Sequence, residues 1–535
     1  MRLLVILTLS LCIISCNSGR ITGNYNIELY AHGDIHGCFF DSLYTGNKER
    51  VASLANISSF ISERRGICGE ENIILLDLGD NIHGDNSTHY YNYEHNYSKG
   101  EKHLYTRIAE YLGYDCSVVG NHDIETGKAL LEKLKDESSF PYLAANIVGS
   151  STGKPVFDPY VILNRNGLKV AVIGLTTHEV KLWLGKEKME GMDVLPAGSV
   201  ISDLVDEIKT TEKPHLIVIA LHAETGNPED DNFENSAGWI AANVKGIDLV
   251  LASHDHIPFC GKFWNGSDSI LVVNSGAYGN ELSGVKMNVS LENGVVVGKD
   301  ISGKLIGMAE IPKDTAYLNE FRVDFLRVKE FSAQKLGEID SEINPSEIFY
   351  APCVYSNLLH YVQLKESSAD VSFVSPSKYR GTVPAGEISY NDILVMYPFE
   401  NLLYNVSLTG HQIKNYLELS YDNWKHKPVS FDCAGGLAYS VDFSRKTGDR
   451  VTIHSFTDNR KFCLDSTYTA AMASYRANGG GGLLMEATGL HAGQLDGIHK
   501  QKFGAIKDML YKHFKGSKIS SLQLSEVANW EIKGL

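Results

Sequence analysis

Positive charge is scarce in this chain. Lys and Arg number 49 against 65 Asp and Glu, a net charge of −16, which leaves no broad basic surface for a nucleic-acid polymer. Long apolar runs are missing too. After Leu3–Ile14, itself too short to span a bilayer, no stretch is long enough to do so. Cysteine is sparse and irregularly placed. Beyond Cys12 and Cys16 there remain Cys38, Cys68, Cys116, Cys260, Cys353, Cys433 and Cys463, with no C-x-x-C pair among them, which excludes zinc-ribbon and dithiol-redox motifs. Seven is odd, so at least one thiol is unpaired, and scattered buried thiols with room for one disulfide are expected. No Ser or Cys sits in a nucleophile motif, and no internal repeat or low-complexity tract is present apart from Gly479–Gly482. Hydrophobic residues at 43% and charged residues at 21% of 535 positions suit a folded chain of two domains with a linker between them.

The first sixteen residues read as an export signal. Met1-Arg2 is a short basic start, Leu3–Ile14 an apolar core, and Ile13-Ile14-Ser15-Cys16 resembles a bacterial lipobox. Cys16 would then carry lipid and hold the chain to a membrane, most simply the outer membrane. An ordinary cleaved signal peptide is the alternative. The expected location is the periplasm or the cell surface.

Downstream, five apolar runs end in metal-ligand residues. Ile27–Ala31 leads to Asp34 and His36, Ile73–Leu78 to Asp80, and Ser117–Val119 to Asn121, His122 and Asp123. Leu216–Leu221 leads to His222, and Leu249–Ala252 to His254 and His256. Each run reads as a buried strand. In a layered α/β domain the residues just past such strand ends meet on one rim. Gathered there, two Asp, one Asn and four His suit a pair of divalent ions bridged by a carboxylate. Taken singly, a His after a strand is more often structural than a ligand; five ordered blocks change that weight. The polar segment 82–103 holds His83, His89, His95 and His103 without periodicity, and reads as a loop of exposed histidines near the rim.

The order D-x-H, G-D, G-N-H, H, H-x-H resembles the calcineurin-type metallophosphoesterase pattern, and the length and C-terminal wording are similar to the 5'-nucleotidase family. The resemblance implies an α/β (α+β) chain. A signal would occupy 1–16, a two-sheet sandwich flanked by helices 25–305, a helical linker 306–335, and a nucleotide-binding α/β domain 336–535. It implies that Asp34, His36, Asp80 and His256 hold one metal, and that Asp80, Asn121, His222 and His254 hold the other. Zn, Mn or similar ions fit such ligands. His122 matches the family's catalytic histidine, and Glu125 stands where the 5'-nucleotidases place an Asp. The implied chemistry is attack on phosphorus by a hydroxide held by the metals, with His122 assisting the leaving group.

Three segments of the second half carry the resemblance there, YPFENLLYNVSLTGHQIKNYLELS (397–420), VSFDCAGGLAYSVD (429–442) and SYRANGGGG (474–482). Phe431 in VSFDCAGGLAYSVD and Tyr475 in SYRANGGGG match aromatics that stack on the two faces of a base, and Arg380 matches an arginine used on nucleotide. Gly481 stands where the family has Asp, and Leu483 where it commonly has an aromatic. SYRANGGGG and residues 246–262 are closest in wording to the 2',3'-cyclic-nucleotide 2'-phosphodiesterase/3'-nucleotidase branch, whose activity is therefore expected. The alternatives are 5'-nucleotidase or UDP-sugar hydrolase-like activity, and an inactive nucleotide-binding lipoprotein, which the full ligand set disfavours.

Overall fold

A computed structural model describes residues 21–45, 48–184, 188–229, 236–376, 381–399, 401–424, 426–427 and 430–534. The signal segment with Cys16, and Arg380, lie outside these residues.

The first half is a sandwich of two six-stranded sheets. One sheet runs in the order Val295–Gly307, Glu281–Glu292, Gly23–His32, Ile73–Asp77, Cys116–Val118, Tyr142–Leu143, and the other in the order Phe259–Trp264, Ser269–Asn274, Leu249–Ala252, Leu216–His222, Leu168–Thr176, Tyr160–Arg165. From Gly23–His32 to Tyr142–Leu143, and from Ser269–Asn274 to Leu168–Thr176, neighbouring strands are parallel. Their C-terminal ends therefore lie on common edges. Leu29, Leu76, Val118, Val172, Val218 and Leu251 interdigitate between the sheets. The outer faces are covered by helices, Leu54–Cys68 and Leu104–Leu112 on one side and Ala197–Thr211 and Ser236–Asn243 on the other. Strands buried on both faces explain the unbroken apolar runs.

The connecting segment forms two short helices, Thr315–Glu320 and Arg322–Ser332. Asp314 caps the first through Ala316 N at 2.8 Å. Fully buried Tyr317 ties it to the first half by donating to Phe39 O at 3.0 Å.

A five-stranded sheet organises the second half, in the order Cys433–Gly435, Val371–Val374, Thr467–Ala473, Leu402–Thr409, His499–Ala505. Helices Val354–Ser367 and Gly410–Asp422 pack on it. The run Tyr390–Val395, rich in strand formers, is the helix Tyr390–Met396. Ser389 and Asp392 form a reciprocal cap, Ser389 N donating to Asp392 Oδ2 at 2.7 Å, and this cap outweighs β-propensity. No continuous helix covers Ile348–Val362, despite its helical apolar spacing. Pro345–Phe349 is a single tight turn, and the main helix starts at Val354, because Pro352 cannot continue a helix from the preceding turn.

All seven cysteines from Cys38 to Cys463 are free thiols, so no disulfide occurs among the described residues. No helix among them is long and apolar enough to cross a membrane. The halves touch through Asn86, whose amide donates to Ser332 Oγ at 2.8 Å and Asn391 Oδ1 at 3.0 Å.

Candidate active site

The strand ends turn sharply, and the turn is visible in the backbone. Asp34, His36, Asp80, His254 and His256 all have left-handed φ, between 48° and 81°. A non-glycine residue seldom adopts that conformation, and its concentration at one rim marks a built site. Close backbone approach helps: a Cβ at Gly120 would lie 2.1 Å from Asp80 Oδ1, so only glycine fits there.

All seven residues expected as ligands meet. Asp34, His36 and His256 form one group, and Asp80, His222 and His254 a second. Asn121 Oδ1 lies 2.9 Å from His222 Nε2. His222 Nδ1 donates to Leu78 O at 2.6 Å, which aims its Nε2 at Asn121 Oδ1 and Asp80 Oδ2, the latter at 3.2 Å. In the same way His36 Nδ1 donates to His83 O at 3.0 Å, and its Nε2 stands 3.1 Å from His256 Nε2. Asp34 Oδ1 is buried without a hydrogen-bond partner, 3.5 Å from His256 Nε2 and 3.8 Å from His36 Nε2. Carboxylate, amide and imidazole atoms that converge this closely suit a cation, and imidazoles anchored by backbone carbonyls are the usual support of a metal ligand. The donor set therefore fits divalent ions.

The electrostatics agree. Burial alone would lower the pKa of His222, but Asp80, by charge and hydrogen bond, and then Asp34 push it up to about 10. That environment favours a positive charge at His222 Nε2, and a metal ion held there would replace the proton. Asp80 is held well below the usual carboxylate range: burial opposes this, and His222 and His122 outweigh it. Asp123 orients Asp80, since Asp80 N and Gly120 N both donate to its Oδ2, at 3.0 and 2.9 Å.

His122 is the second residue of a short helix, Asn121–Glu125, and its Nδ1 lies 2.6 Å from Glu125 Oε2. The longer Glu side chain therefore does reach the ring. Glu125 is pushed down to about 2; burial opposes the shift, while His83, then the His122 hydrogen bond and charge, drive it. A carboxylate on Nδ1 fixes the tautomer and leaves Nε2 for a reacting oxygen.

Beside this rim lies a cavity of about 350 Å³, lined from the first half by Asn121, His122, Glu125, Trp183 and His254, and from the second by Tyr355, Phe373, Phe399 and Tyr475 among others. The Trp183 ring lies nearly parallel to that of His254, 5.3 Å away. Tyr475 is where the sequence places it, and Gly480 makes room for it, because a Cβ there would sit 2.5 Å from the ring.

Phe431 is a correction. Its ring is fully buried, packed 5.4 Å from Phe349 and 5.3 Å from Tyr421. It belongs to the core, and no base can reach it. The next residue, Asp432, is buried too and pairs with Arg476 at 2.8 Å, so this segment holds the pocket wall from behind. Phe399, overlooked in the sequence, is a further aromatic on the cavity; its signal was the Tyr-Pro-Phe run at 397–399. The histidines of segment 82–103 are a second correction. His83, His89 and His103 are buried, and part of the segment is helical, Asn86–His89. The His103 ring caps the next helix by accepting from Tyr105 N at 3.1 Å.

With this geometry in hand, comparison with known proteins decides the family. Residues 29–258 match the model of calcineurin-like phosphoesterases, and 335–488 that of the 5'-nucleotidase C-terminal domain. The chain belongs to the 5'-nucleotidase family. It is a metal-dependent phosphoester hydrolase with the α/β architecture of that family. A 5'-nucleotidase of Vibrio parahaemolyticus is 26% identical over 503 residues, covering 86% of this chain and 84% of that one. The trifunctional nucleotide phosphoesterase protein YfkN of Bacillus subtilis is 25% identical over 480 residues, 80% of this chain and 31% of that protein. Among solved structures, a Staphylococcus aureus chain assigned to the 5'-nucleotidases superposes with a TM-score of 0.79 at 19% identity. The match covers 95% of this chain and all of that one, and at that identity it shows the shared 5'-nucleotidase-family fold.

Proposed function

We propose that this chain is an exported nucleotide phosphohydrolase that cleaves the phosphate ester of a 5'-nucleotide. The observation that carries the reading is the opening of the His122–Glu125 pair and the ligand cluster into a cavity walled by Phe399 and Tyr475. Two such rings can hold a base by its faces, at about 1–3 kcal/mol per base. End-to-end likeness to proteins named 5'-nucleotidase supports the choice of ester.

Two divalent ions, Zn, Mn or similar, held by Asp34, His36, Asp80, Asn121, His222, His254 and His256, would supply Lewis acidity and acidify a water. The residues of the chain do the rest. His122, protonated on both nitrogens, gives its Nε2 proton to the departing ribose oxygen as the P–O bond breaks and the oxygen of water bonds to phosphorus, and the proton that the water gives up restores the imidazolium. Glu125 holds the opposite nitrogen. Asp123 fixes Asp80. The products are nucleoside and inorganic phosphate.

A second reading is hydrolysis of 2',3'-cyclic and 3'-nucleotides. Gly481 favours it, because the side chain that the family places there is absent, and the relative with three nucleotide phosphoesterase functions keeps several esters in play. The deciding experiment is phosphate release from 5'-AMP, 3'-AMP, 2',3'-cyclic AMP (with a coupled phosphatase) and UDP-glucose, with Mn or Zn, beside His122→Ala. Turnover of 5'-AMP, lost in the variant, is the expected result. Turnover of only the cyclic and 3' esters selects the second reading, and no turnover of any overturns both. Lipid anchoring through Cys16 is part of the proposal, and labelled palmitate that stays on a Cys16→Ala chain would refute it.

A further inference from the structure

His83 has no part in the chemistry so far, yet it is built into the site. Its ring is buried and lies parallel to the His122 ring, 4.5 Å apart with 4° between the planes. Its Nε2 is 4.0 Å from Glu125 Oε2, the same oxygen that takes the Nδ1 proton of His122. Its carbonyl anchors His36, whose own ring meets His122 nearly edge-on at 5.4 Å. His122 is therefore bounded on one face by His83, at another side by His36, and at Nδ1 by Glu125.

We propose that His83 is a positioning residue for phosphoryl transfer, clamping the His122 ring and the Glu125 carboxylate together so that His122 Nε2 stays aimed at the leaving oxygen. The inference rests on the role assigned above to His122. The physical need is specific to this chain. Glu125 has one more rotatable bond than an Asp would, so it holds less well alone and loses more freedom when fixed. A flat plate on the ring face stops the imidazole from turning about its own bond to Cβ. Placement of the carboxylate near a second imidazole restricts the extra torsion. Small errors of aim are costly in rate, because the reacting groups must stay aligned within a fraction of an ångström.

The test uses the full metal-loaded enzyme and three variants: His83→Ala, His83→Phe and the double change His83→Ala with Glu125→Ala. Loss of the plate is expected to lower kcat about tenfold to a hundredfold, the scale of a misplaced catalytic group, while KM and the number of bound ions by elemental analysis hold. His83→Phe, which keeps the plate, should recover most of that loss. In the Glu125→Ala background the His83 change should cost little more. Metal content and KM moving in step with kcat would overturn the proposal, as would Phe doing no better than Ala, or full additivity of the two changes.

A second readout separates this idea from the assignment of function. In protein labelled with 15N-histidine, the hydrogen-bonded Nδ1–H of His122 should give a far-downfield proton signal, lost in His83→Ala and restored in His83→Phe. If no nucleotide is turned over but this pattern appears, the functional reading fails and the positioning role stands. An unchanged signal in His83→Ala removes the positioning role whatever the activity.

Discussion

The two halves of this molecule build their functional surfaces in different ways. In the first half each ligand ends a strand or follows one by a few residues, and parallel strands deliver them to one rim. In the second half the cavity wall is drawn from separate places: Tyr355 from a helix, Phe399 from a strand approach, Tyr475 from the short helix Ser474–Ala477. A metal rim is thus a property of local motifs plus topology. A pocket wall is a property of packing, and a change of neighbour can move an aromatic from wall to core.

The largest expected effects should therefore fall in the first half. Removing metal with a chelator should lower phosphate release by about 10³-fold or more, some 4 kcal/mol of barrier, and added Mn or Zn should restore it. Full activity in the apo protein would break the contrast at once. Next is His122→Ala, for which about 10²- to 10⁴-fold loss of kcat is expected, the usual range for a positioned acid or base. A loss confined to KM would show that the His122–Glu125 pair binds substrate without moving a proton.

The same contrast explains what could be read from the chain. Asp34, His36, Asp80, Asn121, His222, His254 and His256 were legible because each lies in a short pattern behind an unbroken apolar run. Their left-handed backbone was not, since no glycine marks those five positions and only the folded turn reveals it. Phe431 misled because a matched segment says which residues are near a pocket, while side-chain direction decides which one faces it. Here Asp432 is taken by Arg476, and Phe431 packs into the aromatic core. Histidines 83 to 103 looked like loop residues because no period connects them. Burial came from tertiary neighbours such as Phe331, whose ring lies 6.0 Å from that of His89.

A middle-sized effect sharpens the second half. Phe399→Ala and Tyr475→Ala should each raise KM for a nucleotide by about 5- to 150-fold, the equivalent of about 1–3 kcal/mol of stacking, with kcat nearly unchanged. Ribose 5-phosphate, lacking a base, should show no such penalty. Phe431→Ala should do the reverse. Deleting a fully buried Phe costs about 3–5 kcal/mol of stability, seen as a lower urea midpoint, while KM of the folded fraction stays put. A large KM change in Phe431→Ala at constant stability would return that residue to the pocket.

The smallest effect compares the halves by pH. His103 in the first half and His360 in the second are both fully buried, and burial pushes each pKa down to about 3. Both are neutral in the fold, where His103 faces Asn92 and His360 Nδ1 meets Ser372 Oγ at 2.5 Å. Once unfolded, each takes a proton near its ordinary value of about 6.5. The folded pKa is depressed, so the stability each contributes is complete above about pH 6.5 and is lost as pH falls toward 3. Between those limits the unfolded chain binds one more proton per histidine, and stability should fall by about 1.4 kcal/mol per pH unit for each. Urea midpoints measured at pH 7, 6 and 5 should drop in the wild type. His103→Asn and His360→Asn should each remove one share of that slope, the first from the transition of the first half and the second from that of the second, wherever the two are resolved. An identical slope in a variant would mean that its histidine is already charged in the fold, and the burial argument for that half would fail.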